Sequence, residues 1–288
     1  MKKILINIYN LFKDTIKSFF EDDSLMHGAA LSYYSIFAIP SMLLVYIFII
    51  GFFFGSSIVD LTVTENVVDY LGASTSDFLT SLVDNRQFTF EKNLTSVIAV
   101  VTILFSSTAL FITLQRSLND FWKVKKVIKT GFIKIIIDRL KSFVVLFILG
   151  GIMILSFVVK AIHTYFKTYF TDIHEHIFSF FDTSLTNLIT IVMNSIVFLV
   201  LFKFLADVKM KWKVAIIGAL FTGFLFSYGN ELVTKLIYTI DYSSSFGAAG
   251  SVVLVLVWTY YCSMIVFFGA HFTYHLSILI KMPIKAKV

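Results

Sequence analysis

From Ala248 to Ala270 the chain runs 23 residues without a charged side chain, and from Ala29 to Phe54 it does so for 26. The hydrocarbon core of a bilayer is about 30 Å thick and a helix rises about 1.5 Å per residue, so about 20 such residues cross it. Leu94 to Leu114 meets the same condition. Ser142 to Val159 and Leu185 to Phe202 are shorter, and each is followed by a lysine, Lys160 or Lys203. A lysine stem can lie along lipid with its ammonium among the head groups, which extends a short span. Val214 to about Leu232 completes the set, with Glu231 near its end. The predicted fold is therefore all-α: a polytopic integral membrane protein forming one membrane domain over residues 1–288. It has six transmembrane helices (29–54, 94–114, 142–159, 185–202, 214–232 and 248–270) plus amphipathic interfacial helices. Composition closes the soluble alternative. Charged residues make up 15% and hydrophobic ones 58%, against roughly 25% charged in soluble proteins. One cysteine, Cys262, excludes an intramolecular disulfide.

The net charge of +6 invites a nucleic-acid reading until the charges are placed by segment. With the N-terminus inside, the segments 1–28, 115–141, 203–213 and 271–288 hold 19 basic residues, and the segments on the other side hold 5. Lysine and arginine in short loops accumulate on the cytoplasmic side. The surplus is thus a topology signal that predicts both termini in the cytoplasm and a multi-pass protein of the bacterial inner (cytoplasmic) membrane. The expected partners are anionic lipid head groups at that face, each basic side chain contributing about 1 kcal/mol. No nucleic-acid partner is expected, and a homo-oligomer is compatible with the sequence.

The connecting segments carry their own periodicity. Ile4, Ile8, Leu11, Phe12, Thr15 and Phe19 recur at helical spacing while Lys2, Lys3, Lys13 and Lys17 take the other side. That pattern describes a helix lying in the inner interface. Apolar stripes in 58–93 and 160–184 predict similar helices on the outer side.

Ionisable groups within a membrane are costly and are functional candidates by default. Glu231 is the main one, though Lys235 stands one turn away and offers it an i,i+4 partner. Pro40 falls mid-helix, where it removes a backbone hydrogen bond, and Tyr33 and Tyr34 precede it with hydroxyls. A kinked polar half-helix can line a path through the bilayer. Asn119 stands at the predicted inner mouth, Asn230 beside Glu231, and Trp258, Tyr261 and His271 along the last span. His271 and His275 are one turn apart, but two ligands do not make a metal site, so no metal is expected. Asn194 and Ser195 read as interhelical hydrogen-bonding residues, and Gly218, Thr222 and Gly223 as a close-packing face. No phosphate loop, nucleophile elbow or zinc-protease motif occurs, so no catalytic residues and no cofactor are expected, and the chain is not read as an enzyme.

Three stretches carry a family resemblance. They are FFEDDSLMHGAALSYYSIFAIPSMLL (Phe19 to Leu44), LQRSLNDFWKVKK (Leu114 to Lys126) and FGAAGSVVLVLVWTYYCSMIVFFGAHF (Phe246 to Phe272). In this order they resemble the YihY/BrkB family of bacterial inner-membrane proteins over nearly the whole chain. One departure stands out: the family usually closes its last motif Gly-Ala-Glu, and here Gly269 and Ala270 are followed by His271. The resemblance implies six helices with both ends cytoplasmic and little mechanism. The expected function is an inner-membrane transporter or exporter of a lipid-like or amphipathic envelope substrate, without ATP hydrolysis of its own. The alternative is a structural or assembly protein of the cell envelope that moves nothing.

Overall fold

The computed structural model describes residues 2–54, 94–124, 139–152, 175–239 and 250–286, with single positions 137, 155 and 159. The predicted outer helices in 58–93 and most of 160–184 lie outside them. Helices dominate: α1 (Lys2–Glu21), α2 (Ser24–Phe54), α3 (Leu94–Phe121), α4 (139–152), α5 (Glu175–Val200), α6 (Trp212–Thr239) and α7 (Gly250–Leu279). The chain is an all-α membrane protein. Among the described residues three helices are long and apolar enough to cross a membrane: Leu185–Leu205, Trp212–Val233 and Val252–Leu279. A two-residue antiparallel ladder that periodicity does not predict, β1 (Val208–Lys209) with β2 (Lys285–Ala286), pairs Val208 with Ala286 and Lys209 with Lys285.

Packing runs in the order α5, α6, α7, α2, α3, and α1 lies against α7. The seams of α6 follow from its small residues. A Cβ built on Gly218 would collide with the Thr273 side chain of α7, and one on Gly269 of α7 with the Thr222 side chain of α6. Each threonine fills the other helix's glycine notch. Each also donates its hydroxyl to the carbonyl four residues back, Thr222 to Gly218 and Thr273 to Gly269, both at 2.7 Å. Neither of these two hydroxyls is left bare in the apolar seam. On the α5 side, a Cβ on Gly223 would come within 2.7 Å of the Ser195 backbone nitrogen. Nearby, Asn194 Nδ2 donates to Ser227 Oγ at 2.9 Å. Small-residue approach joined by side-chain hydrogen bonds is how helices associate where lipid removes the hydrophobic drive between them.

Large side chains are buried together at the basic end. Phe121, Phe202 and Phe267 are fully buried with Leu118, Leu146 and Leu205. Trp122 packs edge-on to Phe202 at 5.6 Å and donates its indole N–H to the Ala270 carbonyl at 3.0 Å. α1 buries Leu11, Thr15 and Phe19 and leaves Leu5, Tyr9, Ile16 and Phe20 exposed. Of its predicted stripe Leu11, Thr15 and Phe19 turn inward, while Ile8 and Phe12 are exposed.

Candidate functional site

α1 ends at Glu21 and α2 starts at Ser24, so the chain turns on Asp22 and Asp23. Asp23 takes the left-handed conformation (φ 52°), which aspartate tolerates better than most residues. Its carbonyl accepts the backbone N–H groups of Met26 at 3.0 Å and His27 at 3.1 Å. This corner sets Ser24 and Asp22 on the two edges of the His271 imidazole. Ser24 Oγ lies 3.0 Å from Nε2, and Asp22 Oδ2 lies 3.8 Å from Nδ1. Ser18, one turn earlier on α1, puts its Oγ 3.2 Å from His271 Nδ1 and 2.8 Å from His275 Nε2. The rings of Phe121, at 4.4 Å, and Phe19, at 6.0 Å, pack against the imidazole. Its side chain is 0% exposed. Lys123 pairs with Asp22 Oδ1, while the buried Oδ2 has no hydrogen-bond partner. His27 makes a separate contact, Nδ1 to Ser117 Oγ at 2.9 Å.

A second polar cluster centres on Asp207. α5 passes into a π-helical turn, Leu201–Leu205, and breaks to extended backbone at Ala206. The Asp207 carboxylate then accepts Lys141 Nζ at 2.8 Å, Gln115 Nε2 at 3.1 Å and Asn119 Nδ2 at 3.3 Å. Asn119 Oδ1 in return accepts the Asp207 backbone N–H at 2.9 Å. Asn119 therefore holds both ends of one residue. Lys141 and Asp207 keep 36% and 24% of their side chains exposed, so screening holds that ion pair to about 1 kcal/mol or less. The surrounding hydrogen bonds matter more than the charge pair.

One helix serves both clusters. Gln115 and Asn119, four residues apart near the end of α3, share a face, and Lys123 follows two residues past that end. The first two grip Asp207 and the third grips Asp22. Lys123 itself is left-handed (φ 54°). Its N–H bonds to the Asp120 carbonyl at 3.1 Å, and the Val124 N–H to Asn119 at 2.9 Å. This is a Schellman ending in which lysine takes the place glycine usually holds.

The residues singled out by sequence fall into separate places. Asn119 and His271 belong to the two clusters above. Asn230 Oδ1 accepts the Trp258 indole N–H at 3.1 Å, which joins two of the expected residues in a third, smaller contact. Tyr33, Tyr34 and Tyr261 are exposed. The buried hydroxyls on that stretch of α2 are instead Ser32 and Ser35, which bond back to Gly28 and Ser32 carbonyls. Pro40 lies within the unbroken α2, its side chain outside those described. Glu231 lies outside both clusters and meets the i,i+4 partner that its sequence offers. Its side chain is 61% exposed and pairs with Lys235 at 2.7 Å, because the turn of α6 carrying it faces outward. His271, placed by sequence at the helix boundary, is instead sealed. Asp22 and Asp207 were missed because each reads as one more charge near the interface. One signal was available: Asp207 is the only acid in 203–213, among four lysines.

The order Ser24, His271, Asp22 is that of a hydrolase triad. Ser24 and His271 are both fully buried, however, and 3.8 Å from Asp22 to the ring is too long for a hydrogen bond. As placed, no carbonyl can approach the buried Oγ. Among the described residues no group of three or more His, Cys, Asp or Glu is gathered for a metal ion.

Apolar helices with small-residue seams and ionisable groups buried at the basic end define an integral membrane protein. More particularly, the chain belongs to the Virulence factor BrkB family, whose model matches residues 15–282. It is 24% identical over 211 residues to a UPF0761 membrane protein of Glaesserella parasuis serovar 5 (strain SH0165), covering 73% of this chain and 70% of that one. It is 25% identical over 172 residues to UPF0761 membrane proteins of Aliivibrio salmonicida (strain LFI1238) and Aliivibrio fischeri (strain MJ11). Those matches cover 59% of this chain and about half, 53%, of each Aliivibrio protein. No solved structure matches the chain.

Proposed function

We propose that the protein is a carrier of the bacterial inner membrane. In this reading it crosses the bilayer six times with both termini in the cytoplasm, and it moves a lipid-like or amphipathic envelope substrate without hydrolysing ATP. The observation that carries this reading is the double grip of α3, whose end holds Asp207 through Gln115 and Asn119 and Asp22 through Lys123. A bundle that only needs to stay packed has no use for polar contacts that can break and re-form, whereas a gate at an inner mouth does. Anionic lipid head groups would meet the basic face beside these clusters.

The second reading is a structural or assembly protein of the cell envelope. It draws on the notched seams of α6, which favour one fixed arrangement. Reconstitution into liposomes with fluorescent lipids on one leaflet separates the two. The carrier reading expects lipid movement that falls at least tenfold in Asp207→Asn and is unchanged in Glu231→Gln. Transfer no faster than in empty liposomes would sink it and favour the scaffold.

A further inference from the structure

Ser18 stands between two imidazoles of unequal access. His271 is sealed from solvent, while His275, one turn along α7, is half-buried. The hydroxyl reaches both, at 3.2 Å to His271 Nδ1 and 2.8 Å to His275 Nε2. Buried polar groups that serve packing alone have their atoms satisfied. Here one atom is not: Asp22 Oδ2 is buried, lacks a hydrogen-bond partner, and faces His271 Nδ1 at 3.8 Å.

We propose that His275, Ser18 and His271 form a proton-binding wire, taking a proton from water at the basic end of the bundle and holding it on His271 against Asp22. In the resting state His271 Nε2–H donates to Ser24 Oγ, and Nδ1 accepts the Ser18 hydroxyl. When His275 is protonated, its Nε2–H passes to Ser18 Oγ as the Ser18 proton passes to His271 Nδ1. One N–H and one O–H bond break, one of each forms, and the positive charge moves from the half-buried ring to the sealed one. The new imidazolium then needs a shift of about 1 Å to make a charge-assisted hydrogen bond to Asp22 Oδ2. Four other groups face the wire: Asp14 on α1, His27 on α2, Lys123 at the end of α3, and Asp22 itself at the α1–α2 corner. Burial of the rings is the first thing a proton must overcome; the two carboxylates draw it in, while His27 and Lys123, the latter already paired to Asp22, oppose it. The wire stands whether or not the chain carries a substrate; if it does, the proton is the ion that couples to it.

The test follows protons on the protein and needs no transport. Full-length protein in lipid nanodiscs, with ¹⁵N-labelled histidine rings, is taken from about pH 8 to pH 4. His271 Nδ1 should change from a bare to a protonated nitrogen, and its transition should be coupled to that of His275. Ser18→Ala should weaken the coupling to what the two charges exert on each other through space, and Ser18→Thr, which keeps a hydroxyl, should restore it. His275→Gln should alter the His271 transition without touching α1, which covers the case in which Ser18→Ala does not fold. Unchanging His271 nitrogens across the range would overturn the proposal. So would a His271 response indifferent to Ser18→Ala or to His275→Gln.

Discussion

The seams of α6 and the clusters at the basic end solve opposite problems. Along the seams, side chains are withheld: Gly218, Gly223 and Gly269 leave notches that Thr273, Ser195 and Thr222 occupy. At the basic end, side chains are supplied. Asp22 and Asp207 each collect partners from distant elements, Lys141 standing 66 residues from Asp207 and Lys123 standing 101 from Asp22. Lipid-facing helices gain little from apolar contact alone, so close backbone approach does the joining where water is absent. Near water, directed hydrogen bonds can fix which connector meets which helix. The first arrangement gives cohesion, and the second gives contacts that can be exchanged.

Substitutions can test whether that contrast holds. The largest effect should come from Gly223→Leu, which drives a side chain into the α5 backbone and cannot be relieved by rotamer change. A loss of about 3 kcal/mol is expected, visible as a collapsed folded fraction in detergent gel filtration. A normal elution profile would mean the seam is loose. Asn119→Leu comes next, because it strips Asp207 of a donor and its backbone N–H of an acceptor at once. About 2 kcal/mol should be lost, read as a lowered thermal midpoint, with Asp207→Asn losing less because the Asn119 clasp survives. Thr222→Val keeps the shape that fills the Gly269 notch and removes only the hydroxyl bond to Gly218. Its cost should be about 0.6 kcal/mol, and a cost near that of Asn119→Leu would erase the distinction between the two regions. The smallest change belongs to Lys123→Gly. Glycine relieves a left-handed lysine by about 1 kcal/mol, and the ion pair it removes, half exposed at the lysine, contributed about the same or less. The midpoint should stay within a degree or two of wild type, while the grip on Asp22 is lost.

Much of the fold was legible because it is periodic. The apolar runs marked the helices, Leu11, Thr15 and Phe19 marked the inward stripe of α1, and Gly218, Thr222 and Gly223 announced a close approach. Asn194 likewise bonds across to the next helix. The polar clusters were far less legible. Periodicity reports which face of a helix is wet, but it does not report which distant residue shares that face. Asn119 and His271 were found as polar residues on apolar helices, and their partners Asp207, Asp22 and Ser18 were not. The Glu231 pairing was legible because it is local: Lys235 stands one turn on, and the two meet on an outward turn. The π-turn was invisible, since no residue in Leu-Phe-Lys-Phe-Leu forbids an ordinary helix.

That turn has a consequence beyond its own five residues. Each residue added to a helix advances its direction by about 100°, so the wider turn at Leu201–Leu205 sets the angular phase at which the chain leaves α5 and presents Asp207. Recasting those residues as an ordinary helix with none removed would swing Asp207 by about a quarter of a turn away from Asn119. Such a chain would keep Gln115, Asn119, Lys141 and Asp207 and still be unable to assemble them, so spacing at this point is as much a part of the cluster as the residues themselves.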